Sequence, residues 1–242
     1  MRVPSSTKSH SLKGRKKRAA RNGQAANRRG IGRPVAGPKT VGREALIDRT
    51  CELLTQMPPN RITRAEVARH MGVDPSLIRY YFRDRSMLLL AAMEKLTAEF
   101  SRMLDEELAQ AVHGPEGALR ARVSALQKFE TAYPFFHRLL IDEFVNLSSP
   151  AAARFLQQLT AQAVAAYGAI LEDGVSQGVF RRTDSAFLFL AVIGVCEFFV
   201  NGMPILRIAL GKNFDEKSLS ARYREFICDL LLHGIRAPPA PP

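Results

Sequence analysis

Between Pro75 and Tyr81, the six residues Pro75, Ser76, Leu77, Arg79, Tyr80 and Tyr81 combine one cation and three hydroxyls with no acid. Side chains of this kind bond well to electron-rich oxygens and nitrogens beside phosphates. Arg79 has the planar fork that bonds guanine bidentately, Leu77 can meet a thymine methyl, and Tyr81 or Arg85 can hold a phosphate. Arg64, at the start of the preceding segment, is counted with these candidate DNA contacts. The other reactive side chains do not assemble into a reaction centre. No paired carboxylates, Cys-His arrangement, phosphate-binding glycine loop or metal-spaced histidines stand out, and His10, His70, His113, His137 and His233 are scattered. No catalytic residue, metal site or cofactor is expected, and an all-helical enzyme finds no support.

Groove contacts need a rigid mount, and the flanking residues supply its parts. Thr63 and Glu66 have the spacing of a capping box and Ile62 can staple onto Val67, which predicts a helix over 63–70. Met71-Gly72-Val73 then turns, with Gly72 free to take a positive backbone angle. Asp74 caps a second short helix, with Pro75 at its first position, running to about Phe82. Val67, Ala68, Met71, Val73, Ile78 and Phe82 are spaced to pack on Leu46, Ile47 and Leu54 of a helix over 43–57, which Pro58-Pro59 stops. Two capped helices across a glycine turn, braced on a third, make a helix-turn-helix whose second helix enters the major groove.

Apolar residues at three- and four-residue spacing recur from Arg43 to Ile235 while strand signals are nearly absent, so an all-α fold of about nine helices is expected. Asp84 caps a long helix to about Ala111, and further helices are predicted over 116–132, 134–146, 150–177, 185–202 and about 217–236. The organisation expected is a basic tail over 1–42, a DNA-binding domain over 43–88, a larger domain over 89–236 and a frayed Pro-rich end over 237–242. The run Ala186 to Val200 contains Glu197 and is too short for a membrane span, so a buried helix and no membrane association are expected. Cys51, Cys196 and Cys228 lack ligand spacing and suit small buried positions in a reducing cytoplasm. No signal-peptide pattern is present, since the basic start is not followed by an apolar stretch.

The formal charge of +12 is concentrated at one end. Residues 1–42 hold twelve of the 35 Lys and Arg and no acid, leaving 23 cations to balance 23 acids in the rest. Such a segment cannot bury enough apolar surface to order itself, and its natural partner is a polyanion, although a merely solubilising tail has the same composition. Arg28-Arg29-Gly30-Ile31-Gly32-Arg33-Pro34 resembles the Gly-Arg-Pro core of an AT-hook, which places Arg33 as a minor-groove contact. An alternative from another class is a nucleoid-type architectural protein that coats DNA through this tail.

The segment ITRAEVARHMGVDPSLIRYYFRDRSMLLLAAMEK, preceded by REALIDRTCELL, resembles the DNA-binding region of the TetR family of regulators. The resemblance covers residues 43 to about 95. It rests on Thr63-Arg64, Val67-Ala68, Gly72-Val73, Ile78, the Tyr80-Tyr81-Phe82 run, Arg85 and Leu88. Arg79 and Tyr81 depart from the family's usual Tyr and His on the contacting face, which bears on the operator sequence rather than on the fold.

The resemblance implies a homodimer built through the last two long helices, with a small-molecule pocket among the preceding ones. Phe187, Leu190, Phe198, Phe226 and Leu230 are the apolar residues available to that interface. An isologous pair would set its two recognition helices about 34 to 36 Å apart and read a pseudo-palindromic operator on double-stranded DNA. Met103, Phe129, Tyr133, Phe136, Phe144, Tyr167 and Ile170 lie on the helices that would surround the pocket, which suits a small apolar or amphipathic effector. Repression, rather than activation, is likewise what the family implies. Asp142, Glu143 and Glu197 are acids within apolar sequence, available to a cationic effector or to pairing with Arg138, Arg154 or Arg207.

Overall fold

The structure is a computed structural model that describes residues 41–145, 150–211 and 215–238. The basic tail with Arg33 and the side chain of Phe144 lie outside the described residues. Within them the chain is all-helical apart from a single antiparallel bridge between Phe180 and Arg236. The elements are α1 (Arg43–Leu54), a 3-10 turn (Pro59–Arg61), α2 (Arg64–Met71), α3 (Pro75–Tyr81), α4 (Arg85–Gln110), α5 (Pro115–Ala132), α6 (Phe136–Leu139) running into a π-helical segment (Leu140–Val145), α7 (Pro150–Ser176), α8 (Ser185–Leu210) and α9 (Glu216–Ile235).

Each boundary has a local cause. Thr63, Asp74, Asp84 and Asp184 each accept backbone N–H groups at the start of α2, α3, α4 and α8, contacts that typically contribute about 1 kcal/mol each. Gly72 ends α2 in the left-handed region at φ 65°, a conformation that carries a steric penalty for residues with a Cβ. Gly174 has a different reason to be glycine, because a Cβ there would stand 2.0 Å from the Phe180 ring packed on α7.

Two apolar clusters fill the interior. In the first, Leu46, Ile47, Leu53 and Leu54 of α1 meet Val67, Ala68, Ile78 and Phe82, with Leu88, Leu89 and Met93 of α4 closing the group. The second joins α5, α7, α8 and α9 through Val123, Leu171, Val192, Cys196, Ile227 and Leu232. Phe100 of α4 packs against both. All three cysteines are buried free thiols, and desolvation pushes Cys51 and Cys196 up to about 12 and Cys228 to about 11, which leaves them unreactive.

Three expectations are corrected. The helix expected from Pro134 starts at Phe136, because Phe135 is non-helical at φ −105°, ψ 9°, and its second half widens into the π segment. α8 does not stop near Gly202 but runs through Pro204 to Leu210; Asn201 bonds back to the Glu197 carbonyl inside the helix, and Gly211 at φ 74° supplies the stop. Nor is α8 buried throughout. It is 26 residues long and apolar enough by length and composition to cross a membrane, yet only a third of its most apolar window is covered by the fold, where it packs on α5 and α7. Phe187, Phe198, Ile205, Ile208 and Leu210 of the same helix are exposed.

Candidate nucleic-acid interface and ligand cavity

α3 is held by its buried side and presents the rest. Ile78 and Phe82 are inaccessible in the first cluster, and Arg43 lays its guanidinium over the Phe82 ring at 5.2 Å. Pro75, Ser76, Arg79 and Tyr80 are exposed, Tyr80 at 80%, while Leu77 and Tyr81 are half-buried. The two tyrosine rings meet edge to face at 5.0 Å, which stiffens the outward surface. Asp74 takes the Ser76 N–H at 2.7 Å, and its carboxyl is held low first by Ser76 and then, more weakly, by the charge of Arg79. Among the described residues Arg79 has no hydrogen bond or short ion pair, so its fork is free.

The supporting helix differs in one detail from the expected capping box. Thr63 Oγ1 accepts the Glu66 N–H at 3.0 Å, but the Glu66 carboxylate turns to Arg69 and His70 instead of returning to the cap. Arg64 donates to the Arg83 carbonyl at 2.7 Å, which clips the start of α2 to the loop after α3.

Arg85 is placed where the sequence did not put it. Instead of pointing to a phosphate, its guanidinium turns inward, forming a fork on Glu143 at 2.6 and 2.7 Å and donating to the carbonyls of Ile62 at 2.7 Å and Pro59 at 2.5 Å. Glu143 thus finds a partner other than the three arginines considered for it. Asp142 does pair with Arg138, at 3.3 Å.

Between α4, α5, α6, α7 and α8 lies an apolar cavity of about 300 Å³. Phe129, Phe136 and Tyr167, which belong to the two apolar clusters, also line it, whereas Met103, Tyr133 and Ile170 pack on those clusters away from its lining. The cavity's polar residues include Arg122, His137 and Glu197, of which the first two were missed as ligand contacts. Arg122, Leu126 and Phe129 follow i, i+4, i+7 spacing on α5, a signal that was present in the sequence. His137 Nδ1 stands 2.5 Å from Glu130 Oε1, both side chains being buried. Burial lowers the His137 pKa, but Glu130 and then Glu197 outweigh it and the net direction is upward. Among the described residues, the Glu197 carboxylate otherwise receives a long 3.5 Å contact from the Asn201 amide. A larger open groove of about 720 Å³ beside the start of α5 and the middle of α9 mixes charges of both signs with apolar residues such as Val112, Pro115 and Val179.

On the far flank, Phe187 (70% exposed), Leu190 (62%), Phe198 (69%), Phe226 (62%) and Leu230 (55%) all lie open, and Ile205, Ile208 and Leu210 extend this surface along α8. Leu190 also edges the cavity, so it serves two surfaces.

A short exposed helix on a two-helix mount, followed by a helical body with an internal cavity, defines a helix-turn-helix regulator with an all-α C-terminal domain. The profile of the Tetracyclin repressor-like C-terminal domain matches residues 112–240, more than half of the chain, and the protein belongs to the TetR family of transcriptional regulators. It is 29% identical over 164 residues to the HTH-type transcriptional repressor NicS of Pseudomonas putida, covering 66% of this chain and 76% of that protein. Over 94 residues it is 32% identical to the HTH-type transcriptional regulator BetI of Escherichia coli, covering 38% of this chain and 46% of BetI. Among solved structures it is similar to AibR in complex with isovaleryl coenzyme A and operator DNA, with a TM-score of 0.63 and 14% identity over 78% of this chain and 97% of that one. A TetR-family regulatory protein from Rhodococcus RHA1 gives a TM-score of 0.59 and 17% identity over 81% and 97% of the two chains. These structural likenesses establish the fold.

Proposed function

We propose that the protein is a dimeric, sequence-specific DNA-binding repressor, released from a pseudo-palindromic operator by a small apolar or amphipathic effector. The observation that carries this reading is the outward face of α3, where Arg79 and Tyr80 stand free on a helix fixed at its cap and along its buried side. In the proposed division, residues 43–88 read DNA and 89–236 bind effector and partner, in the cytoplasm and away from any membrane. The exposed flank of α8 and α9 supplies the self-association surface, and covering it removes an apolar patch otherwise costly in water. α4 is the element able to couple the two activities, since Asp84 starts it beside α3 and Thr97 and Phe100 line the cavity.

Selection of bound sites from random duplexes tests the DNA reading. The expected result is a palindromic motif with half-sites about one helical turn apart. Equal binding to every duplex would instead favour the architectural reading, for which the twelve Lys and Arg of residues 1–42 argue.

A further inference from the structure

Resting on the reading of the α4–α8 cavity as the effector site, we infer that the effector is a monoanionic amphiphile whose carboxylate docks on Arg122 while its apolar body lies among Phe129, Phe136 and Phe189. Arg122 lines the cavity half-buried, and among the described residues it has neither an acid nor a carbonyl acceptor. Its guanidinium carbon stands over the Tyr167 ring, 5.1 Å from the centroid. Its N–H donors hold no acceptor among the described residues, and their planar fork is the geometry that fits a carboxylate. The neighbouring arginines differ, since Arg102, Arg120, Arg138 and Arg236 each hold a carboxylate.

A cation beside an apolar wall is costly without a counter-charge, and desolvation pushes the Arg122 pKa down. The acids of the same region do not offset it. Glu130 is engaged by His137 at 2.5 Å, and Glu197 adds its attraction to that same histidine. Arg122 is therefore the cavity-lining cation that no close carboxylate neutralises, while Glu197 remains an acid on the same wall. Glu130 and Glu197 also disfavour a second negative charge, which selects a monocarboxylate over a phosphate dianion. A volume of about 300 Å³ leaves room for a ring or a short acyl chain behind the head.

Calorimetric titration of the full chain with three probes on one skeleton tests this: 4-phenylbutanoate, 4-phenylbutan-1-ol and 4-phenylbutylamine. The carboxylate is expected to bind at least about tenfold tighter than the alcohol, with the amine weakest. Arg122→Gln should bring carboxylate and alcohol within about twofold of each other while leaving the alcohol's own affinity within about threefold, and Arg122→Lys should restore part of the preference. Ala163→Trp, which fills the cavity, should abolish binding of all three. If the glutamine variant fails to fold, the ranking of the probes on the unaltered chain decides. Equal affinities or a preference for the amine overturn the carboxylate inference while the cavity reading stands. Absence of binding by every probe, or binding indifferent to Ala163→Trp, overturns the cavity reading and this inference with it.

Discussion

Arg85 at the first turn of α4 and Glu143 in the π-helical segment meet as fork and carboxylate, Nη1 2.6 Å from Oε2 and Nη2 2.7 Å from Oε1. The same guanidinium also bonds the carbonyls of Pro59 and Ile62, so one side chain ties the turn before α2, the start of α4 and the segment that carries Leu140 and Ile141 into the cavity wall. The side chains are 28% and 11% exposed, which limits solvent screening of the pair.

Removing the acid leaves a largely covered cation half satisfied. Glu143→Ala is expected to cost on the order of 2 kcal/mol, which in a domain of this size lowers Tm by about 4 to 8 °C. Differential scanning calorimetry checks it, and an unchanged Tm would show that water replaces the carboxylate without loss.

Arg79 is predicted to carry base discrimination. Arg79→Ala should weaken binding to the selected operator by about 1 to 3 kcal/mol while leaving affinity for unrelated duplexes nearly unchanged. Competition gel shifts measure both numbers, and parallel loss on all sequences would assign Arg79 to phosphate contact alone.

The proposed pairing surface is tested by charge. Phe198→Asp combined with Leu230→Asp places two carboxylates on the exposed flank of α8 and α9, where Phe198 is 69% and Leu230 55% accessible in the single subunit. Sedimentation is expected to report a folded monomer with much weakened operator binding, because an isologous contact meets each substitution twice. A variant that remains dimeric would move the interface elsewhere.

His137 gives the stability a pH dependence. Burial lowers its pKa, but the pairing with Glu130 and the charge of Glu197 raise it above the ordinary histidine value of 6.5. A raised folded pKa means that the contribution is fully present below the unfolded value and is lost as pH rises through the folded one. Tm should therefore fall as pH rises above the ordinary histidine value and through the raised folded one, by an amount that shrinks in His137→Gln. Melting curves of both proteins across that range decide, and identical slopes would exclude His137 as the source.

The reading head was legible because its determinants are local. Thr63, Asp74, Pro75 and Asp84 act on residues two or three positions away, and Gly72 acts on itself, so spacing alone located α2, α3 and the start of α4. The cavity was legible in half. Phe129, Phe136 and Tyr167 were found from aromatic character on the right helices, but nothing local distinguishes them from Tyr133 or Ile170, which face neighbouring clusters. Arg85 was misplaced because its partner lies 58 positions away, a pairing that no periodicity encodes. The end of α8 was misread because Asn201-Gly202 and Pro204 resemble a stop when taken alone. The helix continues through them to Leu210 with Met203 buried against the body.

The open apolar flank of α8 makes the subunit's endurance a matter of mass action. Only a third of the richest stretch of its most hydrophobic helix is covered from within, and in the proposed dimer a second copy would shelter exposed residues such as Phe187 and Phe198. Association in the proposed dimer then adds to the stability of a subunit that folds by itself, so the melting point should climb with the logarithm of protein concentration.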